Sequence, residues 1–211
     1  MSEFEVHPVR GRLNAAFFTA LDGTLDLFLR PHKRRIFAGL PGRVVELGPG
    51  VGANFRYLTP GSQVVAVEPN PHMHAGLRRR AARRGIDVEI RSVTGESVDL
   101  DDASADAVIT SLVLCTVADP ARVVAEIRRI LRPGGRYAFL EHVAAPSGTP
   151  TRRLQHAVRR PWSWCFEGCS CERDLASVIR AAGFTSVELE AYRMRSPFLP
   201  ANNQIAGVAT A

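Results

Sequence analysis

Apolar residues follow two different spacings along this chain of 211 residues. Short runs rich in valine, isoleucine and alanine are typical of strands buried on both faces. They alternate with stretches in which apolar residues recur every third or fourth position, as in helices packed on a sheet. Strands are predicted over residues 43–47, 63–68, 88–91, 107–110, 136–141, 186–191 and 204–209. The alternation predicts an α/β fold: a Rossmann-like, seven-stranded, mostly parallel sheet with helices on both faces.

Helices are predicted between the strands, over residues 9–38, 54–58, 71–84, 120–131 and 172–182. In the first helix, apolar residues recur near helical spacing as a candidate core face, and Gly23 would interrupt it: Leu13, Phe17, Leu21, Leu25 and Phe28. The Arg-Pro-Gly-Gly sequence at 132–135 predicts a turn before the fifth strand. No helix is predicted between the last two strands, so the last strand is expected to run antiparallel.

The turn after the first strand carries three glycines, Gly48, Gly50 and Gly52, and the carboxylate of Glu46 comes just before it. Glycines let the backbone come close to a ligand because no Cβ stands in the way. Glu68 closes the second strand, where a carboxylate can accept both hydroxyl protons of a ribose. This is the layout of a nucleoside-binding unit, although the same unit can also pack through its glycines without a ligand.

The glycine spacing argues against a dinucleotide. A pyrophosphate-binding turn has the pattern G-x-G-x-x-G, whereas here the third glycine comes one residue early and Ala53 takes its place. Glu46 would also repel a pyrophosphate, but it suits a ligand with a cationic end. The pattern therefore favours a nucleoside that carries a positive charge.

Five sequence blocks, in order, resemble the class I S-adenosylmethionine-dependent methyltransferases. They are Glu-Leu-Gly-Pro-Gly-Val-Gly at 46–52, Glu-Pro-Asn at 68–70, Thr-Gly-Glu at 94–96, the segment 109–115 and Leu-Arg-Pro-Gly-Gly at 131–135. The resemblance implies that S-adenosylmethionine is the cofactor. It implies a cofactor site made of Glu46, Gly48, Gly50, Gly52, Asn54, Glu68, Pro69, Thr94, Gly95, Glu96 and Ser111.

A narrower resemblance, over about residues 46–173, is to the alkyl thiol S-methyltransferases of the methyltransferase type 11 group. It rests on Leu-Val-Leu-Cys-Thr-Val at 112–117, Phe-Leu-Glu-His-Val-Ala-Ala at 139–145 and Glu-Gly-Cys at 167–169. It implies S-methylation of a small-molecule thiol. Methylation of oxygen or carbon in a phenolic, quinone or natural-product acceptor is the alternative.

We expect two parts in the chain: an N-terminal helical lid over residues 1–39 and a methyltransferase domain over residues 40–211, with an acceptor-site insertion at about 143–172. The N-terminal helix could instead belong to the core. The hydrophobic N-terminal anchor of the animal enzymes has no counterpart in this sequence, so membrane attachment is not carried over. A peripheral lipid-binding protein without turnover is the alternative of another class, and the complete set of cofactor motifs argues against it.

His142, directly after the fifth strand, is the candidate catalytic base, because ligands of open parallel sheets bind outside the carboxyl ends of the strands. A structural histidine bonded to a loop carbonyl would fit the same position. A thiol acceptor needs no strong base, since part of it is thiolate at neutral pH. A hydroxyl or carbon acceptor would need one.

Cys165, Cys169 and Cys171 have the spacing C-x3-C-x-C, which differs from the usual C-x2-C zinc motif, and no second pair follows. With His142 or His156 they could still bind zinc, but we expect no metal, and we expect Cys115 to be a small apolar core thiol. Three aromatic residues near these cysteines would form either an apolar wall over the acceptor or ordinary packing: Trp162, Trp164 and Phe166.

Composition and charge indicate mainly which kinds of molecule the protein binds. The net charge is +6, but Lys33 is the single lysine and the arginine run at 78–84 fits a solvated helix face better than a phosphate-binding patch. We therefore expect a small-molecule acceptor and no nucleic acid. No apolar run is long enough to span a membrane and no signal peptide is found, so we expect a cytoplasmic protein, with peripheral membrane contact and oligomeric state left open.

Overall fold

One sheet of seven strands runs through residues 8–211, the part of the chain that the computed structural model describes. The strands are β1 (Arg43–Leu47), β2 (Gln63–Val67), β3 (Asp87–Arg91), β4 (Ala105–Ser111), β5 (Leu131–His142), β6 (Ser186–Arg193) and β7 (Asn203–Thr210). Their order is β3-β2-β1-β4-β5-β7-β6. Strands β1 to β5 pair in parallel, whereas β7 runs antiparallel to β5 and β6. The predicted Rossmann-like sheet with its antiparallel last strand is therefore confirmed.

One α-helix precedes β1, and the others lie in three of the six connections between successive strands. The helices are α1 (Pro8–Phe37), α2 (Pro71–Arg84), α3 (Pro120–Ile130), α4 (Pro150–Cys165) and α5 (Leu175–Ala181), with 3-10 turns at Ala53–Tyr57 and Leu199–Ala201. Helices α2 to α5 each begin at a side-chain cap, and those of α2 and α3 are examples. Asn70 accepts a hydrogen bond from the N–H of His72, and Asp119 accepts from the N–H groups of Ala121 and Arg122. Both caps precede a proline in the first helical turn, which is a local start signal for a helix.

Both faces of the sheet are buried, and neighbouring strand residues divide between them. Val45 and Val108 lie in an apolar cluster with residues of α3 and α5. Val44 and Ile109 lie in a second cluster, with residues of α1 and α2. Because successive side chains of a strand point to opposite faces, the middle of each of these two strands, β1 and β4, is a run of consecutive apolar residues.

Two local predictions are wrong. Residues 54–58 do not form an α-helix: Gly52 is left-handed, with a φ of 81°, and only a 3-10 turn follows before Leu58 is extended again. The expected turn at 132–135 is instead part of β5, because Gly134, with a φ of 75°, absorbs the bend as the strand continues. A register shift between Ala105 and Ala107 on β4 marks the same irregularity.

Helix α4 lies inside the segment 143–172, where no regular element was predicted. The buried residue of this helix is a glutamine, Gln155. No buried apolar residue therefore marks the helix in the sequence. Gln155 Oε1 accepts a hydrogen bond from the N–H of Ala145 at 2.8 Å, and its Nε2 donates to the carbonyls of Val143 and Pro200 at 3.1 and 2.9 Å. The helix is thus fixed to the backbone by one polar side chain.

Helix α1 is continuous through Gly23, and the predicted apolar face is buried only in part. Leu13 and Phe17 are 63% and 36% exposed, whereas Phe28 packs against the second apolar cluster. The buried residues of the helix combine polar and apolar side chains: Asn14, Asp26, Leu29, Lys33, Ile36 and Phe37. Within residues 8–211, none of the helices combines the length and the apolar content needed to cross a bilayer.

Gly207 and Gly23 give a matched test of this packing. A Cβ on Gly207, in β7, would come within 2.8 Å of the backbone Cα of Leu189 in β6, whereas one on Gly23 would meet nothing within 4 Å. We expect Gly207→Ala to lower the free energy of unfolding by about 1–3 kcal/mol. Gly23→Ala should raise it by about 0.5–1 kcal/mol, because it removes a helix-interior glycine. Urea unfolding followed by circular dichroism measures both, and equal effects would contradict the packing described here.

Candidate functional site

The glycine turn after β1 is tied directly to the acid that follows β2. Gly48, Gly50 and Gly52 all have positive φ, at 58°, 58° and 81°. This turn directs the N–H of Gly50 to Glu68 Oε2, at 2.9 Å. A Cβ on Gly50 would find its nearest neighbour, Met73 Sδ, at 3.9 Å, so the space above the turn is open to a ligand. The two motifs that sequence analysis paired therefore lie in contact.

Glu68 is buried but keeps acceptor capacity. Its Oε1 accepts a hydrogen bond from the N–H of Asn70 at 2.9 Å, so each carboxylate oxygen has one donor. Burial raises the pKa of Glu68 to about 7, against the hydrogen bonds from Asn70 and Gly50. Since each carboxylate oxygen has two lone pairs, both oxygens can still accept a hydroxyl proton from a ligand.

Glu46 carries an oxygen that no described residue satisfies. The side chain is 1% exposed, its Oε1 accepts from Asn54 Nδ2 at 2.7 Å, and its Oε2 has no partner within residues 8–211. Burial raises the pKa of Glu46 to about 7, against the Asn54 hydrogen bond and the charge of Lys33. An unpaired buried carboxylate oxygen is costly, and an ammonium group of a ligand would satisfy it. The residues present thus fit the amino-acid end of S-adenosylmethionine.

Lys33 is a residue of this site that sequence analysis missed. It lies on the inner face of α1, 5% exposed, and the charges of Glu46 and Asp26 act on it. Burial lowers the pKa of Lys33 to about 8, against these two carboxylates. The available signal was that the single lysine of an arginine-rich chain falls inside an otherwise apolar helical pattern.

Polar contacts hold α1 across the turns that carry the two acids. Asn70 Nδ2 donates to the carbonyl of Gly11 at 3.2 Å, next to Glu68. Further along the helix, Asp26 accepts a hydrogen bond from the hydroxyl of Tyr57 and forms an ion pair with the guanidinium of Arg56 at 3.0 Å. Helix α1 is therefore fixed to both the β2 end and the turn after β1.

The remaining predicted cofactor residues lie on neighbouring loops. A Cβ on Gly95 would contact Val123 and Leu47 at 3.5 and 3.6 Å, which places the Thr94–Glu96 loop beside the end of β1. Glu96 Oε1 accepts from the N–H of Ala118 at 2.9 Å and so holds the loop before α3. Pro69 directly follows Glu68, and Ser111 ends β4. After Ser111 comes Leu112, whose φ of 61° is unusual for a residue with a branched side chain.

His142 lies in a buried cluster with two thiols rather than alone. Its Nε2 is 3.0 Å from Cys169 Sγ, and Cys169 Sγ is 3.7 Å from Cys115 Sγ. All three residues are 5% exposed or less, and His142 Nδ1 has no partner within the described chain. The cluster joins the ends of β4 and β5 to the loop after α4.

Sequence analysis grouped the cysteines differently. Cys165 is exposed, and His156 is exposed and bonded to Glu172 at 3.2 Å, so neither belongs to the buried cluster. Cys171 is buried next to Cys169. Hydrogen bonds from Cys115 and Cys171 hold the pKa of Cys169 well below its usual range. Only the pairing of β4, β5 and the loop after α4 brings these groups together, which sequence spacing does not reveal.

Aromatic rings cover the same region. Trp162 donates its indole N–H to Cys169 Sγ at 3.1 Å, and its ring lies 4.5 Å from that of Phe166. Phe166 in turn meets Phe17 of α1 at 5.8 Å, and Phe17 meets Phe198 at 6.4 Å. Trp164, by contrast, is 66% exposed. An apolar surface therefore connects α1, α4 and the segment before β7 above the cysteine–histidine cluster.

The sequence comparisons agree with this geometry. Residues 45–139 match the model of a family described as a methyltransferase domain. Human thiol S-methyltransferase TMT1B (Homo sapiens) is 36% identical over 189 residues, which cover 84% of this chain and 77% of the human protein.

Two solved structures share the fold. A SAM-dependent methyltransferase from Thermotoga maritima superposes with a TM-score of 0.66 at 19% identity, covering 95% of this chain and 97% of the other. Phosphoethanolamine N-methyltransferase 2 of Haemonchus contortus, solved with S-adenosylmethionine, gives a TM-score of 0.63 at 14% identity, covering 86% and 51%. With the glycine turn and its two acids in place, this chain belongs to the S-adenosylmethionine-dependent methyltransferase family that includes human TMT1B, and S-adenosylmethionine is its methyl donor.

Proposed function

We propose that this methyltransferase transfers the methyl group to the sulfur of a small-molecule thiol. The observation that carries the proposal is the 36% identity, over 84% of this chain, to a protein named for thiol S-methylation. We also propose that it acts in the cytoplasm. The four cysteines are free, including two whose sulfurs are 3.7 Å apart, as suits a reducing compartment.

We propose that the cofactor lies over the carboxyl ends of β1, β2 and β4. Glu68 would accept the ribose hydroxyls, and Glu46 would accept the ammonium group on its unpaired Oε2. The three glycines of the turn would let the backbone approach the nucleoside. Residues of the other loops would line the rest of the site: Asn54, Pro69, Thr94, Gly95, Glu96 and Ser111. When bound, S-adenosylmethionine supplies a methyl group already activated by the adjacent sulfonium.

We propose that residues 1–39 serve as a lid, of which the structure describes α1. The inward face of α1 carries the buried Lys33, which feels the charge of Glu46. Lys33 would balance the cofactor carboxylate while Glu46 takes the ammonium. The segment 143–172, with α4, would form the acceptor side together with Phe17. A lid made of one helix excludes water from the cationic sulfonium and aligns the acceptor, and orientation of this kind can supply a large part of the rate.

An aromatic cover suits an apolar thiol. Phe17 contacts Phe166 and Phe166 contacts Trp162, whose indole N–H reaches Cys169 beside His142 at the end of β5. A thiol is partly ionised at neutral pH, so transfer to sulfur requires alignment more than a base. For a hydroxyl or carbon acceptor, His142 would have to remove the proton.

Glu68→Gln tests the cofactor site. We expect the Kd for S-adenosylhomocysteine to rise on the order of 10- to 100-fold, because charge-assisted hydrogen bonds are lost. The pKa values of Glu46 and Glu68 are both raised to about 7, and the ligand binds their ionised forms. Affinity of the wild type should therefore increase from pH 6 to pH 8 by about tenfold for each carboxylate. Partial loss of the Lys33 charge, with a pKa of about 8, should reduce this gain by about twofold.

Calorimetry at the two pH values measures this. In Glu68→Gln the increase with pH should shrink to that of Glu46 alone. Glu89→Gln, at a side chain that is 51% exposed on β3, is the control and should bind as the wild type does. Unchanged affinity in Glu68→Gln would remove this residue from the site.

Lys33→Met tests the contribution of the lid. We expect it to weaken S-adenosylhomocysteine binding about tenfold or more, because a buried counter-charge to the cofactor carboxylate is lost. Adenosine lacks the amino-acid end, so its affinity should not change. Arg34→Met, at an exposed neighbouring position, is the matched control. Equal losses for both ligands would mean that Lys33 only supports the fold.

Matched acceptors test the proposed function. Benzyl mercaptan and benzyl alcohol differ only in the acceptor atom, as do thiophenol and phenol. With S-adenosylmethionine, we expect the protein to convert the thiols to methyl thioethers and to leave the alcohol and phenol unmethylated. Mass spectrometry of the products measures this. Methylation of phenols or quinols alone would replace the thiol by an oxygen or carbon acceptor, with the methyltransferase assignment intact.

A further inference from the structure

The cysteine–histidine cluster places three metal-binding atoms together within the described residues. Cys115 Sγ, His142 Nε2 and Cys169 Sγ all lie within 4.8 Å of one another, and all three side chains are buried. Thiolate sulfur and imidazole nitrogen are the donors that zinc prefers. The cofactor site described above uses none of these atoms.

The spacing of the two sulfurs fits a tetrahedral ion. Zn–S bonds of about 2.3 Å at tetrahedral angles place two sulfurs about 3.8 Å apart. The observed separation of Cys115 Sγ and Cys169 Sγ is 3.7 Å. His142 Nε2 is 3.0 Å from Cys169 Sγ, against the roughly 3.6 Å that a shared zinc would require, so these two atoms would have to separate by about half an ångström.

The backbone around the cluster is held in place. Both oxygens of Glu141, which is fully buried, accept from the N–H of Val113, and Oε2 also accepts from that of Leu114 at 3.1 Å. The N–H of Ser170 donates to the carbonyl of Cys115 at 2.8 Å, and Arg173 donates to that of Leu114 at 2.6 Å. These bonds join the segment after β4 to the loop that carries Cys169.

The indole N–H of Trp162 adds an outer contact to this cluster. It lies 3.1 Å from Cys169 Sγ, and hydrogen bonds of this kind orient and tune ligand atoms in metal sites. Trp162 also belongs to the aromatic cover over the proposed acceptor side. Trp162 therefore stabilises the cluster by a hydrogen bond and also places the cluster next to the proposed acceptor side.

We propose that Cys115, His142 and Cys169 bind one zinc ion, and that its fourth position takes the acceptor sulfur as a thiolate. Sites with three protein ligands keep a position for substrate. The second half of this proposal rests on the proposed function. It departs from the sequence-based expectation of no metal, which grouped Cys169 with the exposed Cys165.

The chemistry balances without a further reactant. The acceptor thiol binds zinc and releases its proton to solvent. Its sulfur then forms a bond to the cofactor methyl group as the methyl–sulfonium bond breaks, which gives a methyl thioether and S-adenosylhomocysteine. The thioether is a weaker ligand than the thiolate, so product leaves the ion.

The metal content of the purified protein tests whether Cys115, His142 and Cys169 bind zinc. Protein produced with zinc in the medium and purified without chelators should contain about one zinc per chain by elemental mass spectrometry. Cys115→Ser and Cys169→Ser should lose it, and the matched control Cys165→Ser should retain it. Each variant is checked by thermal melting and by S-adenosylhomocysteine binding, since the proposed cofactor contacts use none of the three ligand side chains.

Two further measurements keep the test decisive if the serine variants do not fold. Zinc-stripped wild type, titrated with zinc against a chromophoric chelator, should bind one equivalent. Trp162→Phe keeps all three ligands and should weaken zinc affinity about tenfold. The absence of stoichiometric zinc binding would overturn the proposal, and so would a Cys115–Cys169 disulfide in protein kept at cytoplasmic redox poise.

Replacing zinc by cobalt tests whether the acceptor thiolate binds at the fourth position of the metal. Co²⁺ bound by two thiolates should give sulfur-to-metal charge-transfer absorption. Adding benzyl mercaptan should change the spectrum, while benzyl alcohol should not. An unchanged spectrum with turnover of thiols would overturn the acceptor role alone. Metal binding without any thiol methylation would instead reject the proposed function and leave the metal site standing.

Discussion

The hydrogen bond from the Gly50 N–H to the Glu68 carboxylate fixes the geometry of the cofactor end. It ties the turn after β1 to the residue after β2, and it partly satisfies a carboxylate that would otherwise be buried at high cost. The positive φ of Gly50 is what turns that N–H towards the acid. The turn that follows Glu46 is held at the end of β2 by this bond, and α1 is attached to the same end of β2 through Asn70.

Buried charge explains the unusual orientation of α1. A helix that turned its apolar side inwards would leave Glu46 facing hydrocarbon, with no cation nearby. Instead Lys33 and Asp26 face inwards, and Leu13 remains in solvent. The helix thus carries buried polar groups towards the cleft and packs on the sheet through Leu29, Ile36 and Phe37. A ligand with both an ammonium and a carboxylate group complements that arrangement.

The sheet, its order of elements and the glycine–acid pair could be predicted, because these depend on short-range patterns: apolar runs, glycine spacing and strand-end acids. The side of α1 that is buried could not, since apolar periodicity assumes an apolar partner. Helix α4 was missed because Gln155 anchors it. The grouping of Cys115 with His142 and Cys169 depends on contacts between residues 27 and 54 positions apart, which no local spacing encodes.

The anchoring of α4 has a consequence for how this enzyme can diversify. Gln155 bonds only to backbone atoms, of Ala145, Val143 and Pro200, and every residue type offers these atoms at the same place, apart from the N–H that proline lacks. Side chains elsewhere on α4, apart from Trp162 with its bond to Cys169, can therefore change size or polarity while the helix stays docked. Point substitutions on such a segment can change which acceptors bind, without changing the sheet or the cofactor cleft.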